Sequence, residues 1–392
     1  MSQLTPQVDL EAYSFEGQES EELKDIDQVS DERKAELRMV GVDLDATRSR
    51  AGTFLQFDHS TVHCQSTGQG VEVLGIVQAL KKYDGLPEYF WKALDKNHDE
   101  FTRAASQQDL HGGYFIRTQK GVKVPDPVQT CLFIKGEKVG QNVHNIVVVE
   151  EDSEVHIITG CATSHGVMSA LHLGISEFYI KKGGKLTFTM VHNWGEEVMV
   201  RPRTVGIVEE KGVLQNNYVI LKKVKSVESY PTIYLNGPGA IARFNSVIVT
   251  PTGSYIDSGN RIVLNAPNTR GEIISRAITT GGTNIARGEI IANAVPARGH
   301  LECKGLILGD GIIQAIPELQ GRVAGVELSH EAAVGKIAQE EIEYLMARGL
   351  DEDEATSTIV RGFLNVDIMG LPKELQASID QTIADLDTSG GM

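Results

Sequence analysis

Residues 269–303, TRGEIISRAITTGGTNIARGEIIANAVPARGHLEC, carry the pattern that decides the fold. The phrase RGEIIS at Gly271 returns as RGHLEC at Gly299, 28 residues on, with a further turn at Gly282 between them. Working outward, related phrases start at Gly184 (GGKLTF), Gly212 (KGVLQN) and Gly239 (PGAIAR), so the full set is spaced by 28, 27, 32 and 28 residues. In all five the residue two after the glycine is apolar: Leu186, Leu214, Ile241, Ile273 and Leu301. With Gly253 and Gly282 as turns inside the later periods, each period holds two strand-and-turn units. A period of this size built from short strands, with no helices between them, predicts a β-helix ahead of a leucine-rich repeat. A β-sandwich with regular hairpins is the alternative.

This β texture runs from about 106 to 320, where 25 of the 40 glycines fall and segments such as HNIVVVEEDSEVHIITG and SEFYIKKGGKLTFTMV alternate apolar with polar. Residues 1–105 read as mostly helical. In VSDERKAELRMVGV, Ser30 is a partial N-cap signal, because Arg33 stands where a capping box has Glu. GVEVLGIVQALKKY places Val73, Leu74, Val77 and Leu80 on one helix side, and GLPEYFWKALDKNHDEFTRAA adds Tyr89, Phe90, Leu94 and Phe101 as packing residues. After 321 helical signals return. SHEAAVGKIAQEEIEYLMARG runs from an N-cap at Ser329 to a stop at Gly349, and DEDEATSTIVRGFLN follows with four acids in its first turn, where the helix dipole favours them. The closing DTSGGM is expected to fray. Three regions result: 1–105, 106–320 and 321–392.

The net charge of −16 over 392 residues divides along the same lines. Residues 1–40 carry 11 acids against 4 bases and residues 321–392 carry 14 against 5, while the centre balances. Without clustered Lys and Arg, binding to a nucleic-acid backbone is not expected. No apolar run approaches the ~18 residues of a spanning helix. The acidic, polar N-terminus lacks the regions of a signal peptide, so a cytoplasmic protein is expected.

Four cysteines, Cys64, Cys131, Cys161 and Cys303, lack paired spacing and form no disulfide framework. DHSTVHC gives His59 and His63 an i, i+4 spacing suited to a metal on a helix, but no further ligand cluster accompanies it and Ser60, Thr61 and Val62 are poor helix formers. A polysaccharide-cleaving β-helix needs grouped carboxylates, yet residues 161–320 hold only Asp257 and Asp310 as aspartates. No Ser, His, Asp order or phosphate-cradling loop stands out. Soft ligands remain. Cys161 sits at a strand end before a turn, where exposure is expected, and alternation points Cys303 inward with Leu301. His300, Lys304, His330 and Glu331 lie near Cys303 in sequence, and Lys or His beside a thiol lowers its pKa. One Cys and one His cannot complete a cluster site, whereas two protomers or added thiols can.

Six segments in order, EDSEVHIITGCA, VHNW, NTRGEIISRAITTGG, ARGHLECKGLIL, ELSHEAAVGKI and RGLDEDEATSTIVRGF, resemble the SufB/SufD family, scaffold proteins of the SUF iron–sulfur cluster assembly system. The similarity runs from about Val149 to Leu375. It implies a mainly β fold with a right-handed parallel β-helix core flanked by N- and C-terminal helical regions. It also implies a non-catalytic scaffold that holds a transient iron–sulfur cluster and works with a SufC-type ABC ATPase.

Residue by residue, the resemblance makes Cys161 the sulfur acceptor, through a persulfide, and Cys303 the cluster cysteine. His330 and Glu331 join as candidate ligands, with a dimer interface as the place where two copies would bring them together. Arg348, Gly349, Ile359, Gly362 and Phe363 fall in the region that docks the ATPase. Two departures stand out: SHEA replaces the SufB phrase EHEA, so Ser329 removes a carboxylate, and His192 stands where SufB has Gln. The chain blends the two paralogues while keeping both SufB cysteines, which implies a homodimer in a 2:2 complex with the ATPase, as in archaeal minimal systems. A SufD-like structural subunit without its own cluster, or a carbohydrate-active β-helix enzyme, are the rival readings.

Overall fold

The computed structural model describes residues 6–16, 23, 26–45 and 49–364, and the DTSGGM segment lies outside them. The helix α1 (Asp31–Arg38) starts where the Arg33 amide donates to Ser30 Oγ at 3.3 Å, so the partial cap is used. The strands β1 (Gly52–Phe57), β2 (Ser60–Ser66) and β3 (Val71–Gly75) follow, inside the stretch expected to be mostly helical. Val73 and Leu74 therefore lie on a strand, with Val73 in the interior core, and the helix of that segment is only α2 (Ile76–Lys82). The segment with Tyr89, Phe90 and Leu94 packs as turns, and its helix, α3 (Glu100–Gln107), is short. Pairing explains the difference, because β3 finds β4 (Tyr114–Thr118) as an antiparallel neighbour far along the chain, which local periodicity does not register.

The chain then winds through β5 (Val128–Ile134), β6 (Val139–Val149), β7 (Glu154–Thr163), β8 (Ala170–Ile180), β9 (Lys185–Asn193), β10 (Val198–Val200) and β11 (Arg203–Val208). It continues as β12 (Val213–Ile220), β13 (Ser226–Ser229), β14 (Thr232–Leu235), β15 (Ile241–Thr250), β16 (Tyr255–Leu264) and β17 (Thr269–Thr279). The last coils are β18 (Thr283–Ala292), β19 (Ala297–Ile307), β20 (Ile312–Gly321) and β21 (Glu327–Gly335). Two facing sheets result. One runs β2-β1-β5-β7-β9-β12-β15-β17-β19-β21, and the other runs from β3 and β4 through β6 and β8 to β16, β18 and β20. Apart from the β1–β2 and β3–β4 pairs every strand pairing among the described residues is parallel, so the fold is a mainly β, parallel solenoid.

Successive coils superpose residue on residue. Leu186, Leu214, Ala242, Gly271, Gly299 and Leu328 stack in one inward column. Of the apolar residues assigned to that series from their glycines, Ile241 is one residue out, pairing with Val213, and Ile273 and Leu301 lie two residues further along, in the inward column of Phe244. Polar side chains stack too: Asn293 Nδ2 donates to Asn265 at 2.7 Å and Asn265 Nδ2 to Asn236 at 2.8 Å, a ladder that holds the turns in phase.

The second sheet has a corner. Pro202 separates β10 from β11, Pro231 separates β13 from β14, and Asn260 pairs with Gly288, which pairs with Pro317. Proline gives no ladder N–H and glycine no side chain, so the sheet bends along this line.

At the C-terminal end Ser329 does not cap a helix. It lies on β21, because β19 offers a free edge that captures residues 327–335 as a further strand. The helix begins at α4 (Gln339–Met346), Gly349 follows it with φ +104°, and α5 (Glu352–Leu364) starts with reciprocal Asp351–Glu354 hydrogen bonds.

Candidate functional site

Cys303 occupies an inward position on β19, level with Leu301 on the same face, and is 2% exposed. Its register neighbours are Ser275 on β17 and Ala332 on β21. Burial, with Glu302 adding to it and Arg276 opposing, pushes its thiol up to about 11. The neighbours expected to activate it face the other way. His300 Nδ1 lies 3.0 Å from Ser329 Oγ, and Lys304 Nζ lies 3.2 Å from Glu302 and 3.4 Å from Glu331. On β21, His330 pairs with Leu301 and so shares the inward face of Cys303, while Glu331 pairs with Glu302 on the outward face. Both are exposed, since among the described residues no strand lies beyond β21 in the sheet. Among the described residues of one chain, no group of three Cys, His, Asp or Glu side chains is arranged to hold a metal ion.

Cys161 is not exposed as expected. It lies in the interior core at 0% exposure, between Leu132 and His192 in register, and burial pushes its thiol far above the usual range. The turn that promised exposure begins only after Thr163, and the alternation of β7 turns Cys161 inward. Cys161 and Cys303 are five strand steps apart, about 25 Å at ~4.8 Å per step with a sideways offset of one residue pair. Cys131 is buried on the outer side of its sheet, and Cys64 donates to the Val73 carbonyl at 3.4 Å. His59 and His63 fall in a turn and on β2, so the helical spacing that suggested a metal does not arise.

Between the two cysteines lies an interior cavity of about 40 Å³, room for a few waters. Its lining reaches Leu132 and His192 on either side of Cys161 and Ser275 at the other end, so Cys161 sits between two lining residues and Cys303 one register step beyond the last. His192 Nδ1 is 3.1 Å from the Tyr218 hydroxyl, and His172 Nδ1 donates to Gln141 Oε1 at 2.9 Å. Burial lowers both imidazoles to about 3, so both are neutral at pH 7. Trp194 packs against both rings, and its buried Nε1 has no partner among the described residues. Sequence reading singled out His192 but missed His172, Tyr218 and Arg287 as lining groups. Alternation alone marks the first two as inward, yet nothing in their spacing links them.

Residues 132–363, more than half of the chain, match the family model described as "SUF system FeS cluster assembly, SufBD core domain". The chain belongs to the SufBD family. A SufBD family protein of Archaeoglobus fulgidus is 53% identical over 351 residues, 89% of this chain and 94% of that one. One from Methanothermobacter thermautotrophicus is 46% identical over 376 residues, 94% and 92% of the two chains. The Bacillus subtilis iron–sulfur cluster assembly protein SufB is 30% identical over 368 residues, 91% of this chain and 78% of that one. The SufBD match contains both inward cysteines, the exposed end of the solenoid and nearly all of α4–α5, and it leaves out β1 to β4.

The residues expected to dock an ATPase divide between surface and core. Arg348 donates to the Tyr344 hydroxyl beside Gly349, and Gly362 is exposed. Phe363 packs against the solenoid's outer core with Val360 and Leu364, and Ile359 is half-buried. Tyr344 and Met346, which the sequence did not single out, are 58% and 41% exposed on α4. Among the described residues no helix is long and apolar enough to cross a membrane.

Proposed function

We propose that this SufBD protein is a non-catalytic cytoplasmic scaffold on which an iron–sulfur cluster is built with Cys303 as the thiolate ligand. The observation that carries this is the position of Cys303. It is an inward thiol one strand from the uncovered end of the solenoid, with His330 on the same face of the exposed last strand. A second copy covering that end adds the same groups from the other side, and Glu331 joins from the rim. The free thiol is protonated at neutral pH, so iron must displace a proton to bind, and loading speeds up as pH rises toward the thiol's raised pKa. The cluster is cargo, and its type is set by ligands from both copies. Anaerobic reconstitution with iron and sulfide tests the assignment. Cys303→Ser is expected to lose at least nine-tenths of the cluster absorption, and equal absorption in variant and wild type would remove Cys303 from the site.

Cys161 accepts sulfur as a persulfide in this scheme and the interior cavity leads toward Cys303. Because Cys161 is sealed, acceptance there requires the surrounding wall to open. A SufC-type ATPase docks on α4–α5 and opens or closes the site through ATP hydrolysis. Exposed Tyr344 and Met346 with Arg348 favour this surface. Tyr344→Ala with Arg348→Glu is expected to abolish co-elution with the ATPase in size exclusion at micromolar concentrations, and retention of the complex would move the docking surface elsewhere.

A further inference from the structure

The outer face of the first sheet carries a groove of about 680 Å³ across the starts of β12, β15, β17, β19 and β21. Its floor is the backbone of the inward column that passes through Gly271 and Gly299, and two outward columns flank it. Val213, Ile241, Arg270, Arg298 and Glu327 form one wall. Gln215, Arg243, Glu272, His300 and Ser329 form the other. The groove spans four strand steps, about 19 Å at ~4.8 Å per step, the length of roughly six extended residues. It therefore suits a chain better than a single small anion.

Along the solenoid, outward cations commonly meet an acid one coil away: Lys181 meets Glu209, Arg261 meets Glu289 and Arg287 meets Asp257. In the groove Arg243 meets Glu272 and Arg298 meets Glu327 in the same way. Arg270 does not. Its register neighbours are Ile241 and Arg298, and among the described residues no carboxylate pairs with it. Like charges directly opposite on adjacent strands are destabilising. Where two other cations stack, Arg276 on Lys304, Glu302 bonds to both. Arg270 on Arg298 lacks such a bridge, since Glu327 reaches Arg298 alone. Both arginines are exposed, so a carboxylate from outside can take the bridging place.

We propose that this groove docks an extended acidic segment of a partner protein, with one carboxylate bridging Arg270 and Arg298 as Glu302 bridges Arg276 and Lys304. Ile241 lies about 7 Å from the midpoint of the two arginines at ~4.8 Å per strand, which matches the spacing of alternate side chains in an extended peptide. An apolar side chain two residues from the carboxylate therefore rests on half-buried Ile241 and Val213. Gln215 and Ser329 on the facing wall can bond the peptide backbone. A nucleic acid fits less well, because Glu272 and Glu327 stand in the walls where phosphates would repeat. The net charge of −16 repels acidic partners in general, so the groove selects and orients the one it accepts. The proposal goes beyond the scaffold reading and does not depend on which residues hold the cluster.

The probe is a fluorescein-labelled synthetic peptide with one leucine and two glutamates at alternate positions, titrated with the full chain at low salt and followed by fluorescence anisotropy. Arg270→Glu is expected to weaken binding tenfold or more, and glutamines in place of the peptide's glutamates are expected to weaken it as much. Lys223→Glu changes the net charge equally on a side chain outside the groove and is expected to alter binding less than twofold. Arg270→Glu is expected to melt no lower than wild type, because it removes a like-charge pair. Should it melt well below wild type, Arg270→Gln replaces it in the same titration. No anisotropy change at half-millimolar chain overturns the docking. So does equal weakening by Lys223→Glu, which reduces the effect to net charge, or tighter binding of a single-stranded oligonucleotide than of the peptide.

Discussion

Replacing Glu177 by alanine is expected to lower folding stability by about 3–5 kcal/mol, the cost of removing one partner from a buried charged network. The carboxylate has no exposure to solvent. Its Oε1 accepts the backbone N–H groups of Lys92 at 2.8 Å, Ala93 at 2.7 Å and Leu94 at 3.1 Å, and its Oε2 accepts Trp91 N–H at 2.7 Å and His144 Nε2–H at 2.8 Å. The alanine variant leaves the Trp91, Lys92 and Leu94 amides and an imidazole N–H without an acceptor inside the protein, while the Ala93 amide keeps the Tyr179 hydroxyl at 3.0 Å. It also releases Trp91 from a left-handed backbone, φ +55°, that a non-glycine residue keeps only when its surroundings hold it. Urea unfolding followed by circular dichroism reads the loss, and a change under about 0.5 kcal/mol would show that this anchor carries little.

The same pair sets a pH dependence. Burial raises the Glu177 pKa, but bonds from His144 and from the Ala93 and Leu94 amides outweigh it, and the carboxyl ends below its ordinary 4.5. Burial lowers His144 from 6.5, only partly offset by Glu177. Both groups bind protons more readily in the unfolded chain, so stability rises with pH through their range. It is complete above about pH 6.5, falls as the unfolded imidazole protonates, and falls further below the ordinary carboxylate value. Glu177→Gln is expected to flatten the lower part of this profile.

Glu177 also explains where the sequence misled. Residues 85–105 carry apolar side chains at helical spacing, and Tyr89, Leu94 and Phe101 do pack inward. The backbone between them does not coil, because a carboxylate more than 80 residues away gathers four consecutive N–H groups that a helix would have used internally. The helix expected at Ser329 failed for a related reason, since the free edge of β19 captured it as a strand. Periodicity reports which face is buried and leaves unstated what lies opposite. Where the opposing surface is the previous coil, one repeat away, the reading succeeded: the turns at Gly271 and Gly299 stack as spaced. Cys303 was legible by the same alternation. Cys161 was misjudged because an apparent strand end lay within a strand that ran to Thr163. The Asp257–Arg287 pair was invisible, because two residues 30 apart meet only once the coil spacing is exact to the residue.

The full chain is expected to sediment at twice its 42.7 kDa mass, and Ile312→Lys with Val334→Lys is expected to return it to a folded monomer. The last coil dictates this. Among the described residues β21 pairs only with β19 and β20 only with β18 in the sheets, so two adjacent strands present edges of backbone donors and acceptors that no described strand covers. Ile312 and Val334 are 57% and 41% exposed there, and Val323 adds to the apolar surface. Long uncovered edges with apolar side chains pair with whatever matches them, and a closed two-fold contact with the same edge satisfies both sets at once. Two lysines desolvated in such a contact cost at least ~1.4 kcal/mol each, so dimerisation weakens about a hundredfold or more. Sedimentation velocity at ten micromolar, with circular dichroism to confirm the fold, reads the change, and a wild-type monomer at that concentration defeats the expectation. The monomeric variant is also expected to lose its cluster. One chain brings Cys303 and His330 to a common face but leaves Glu331 on the other, so a folded monomer that still loads iron and sulfide would require ligands that its described residues do not assemble.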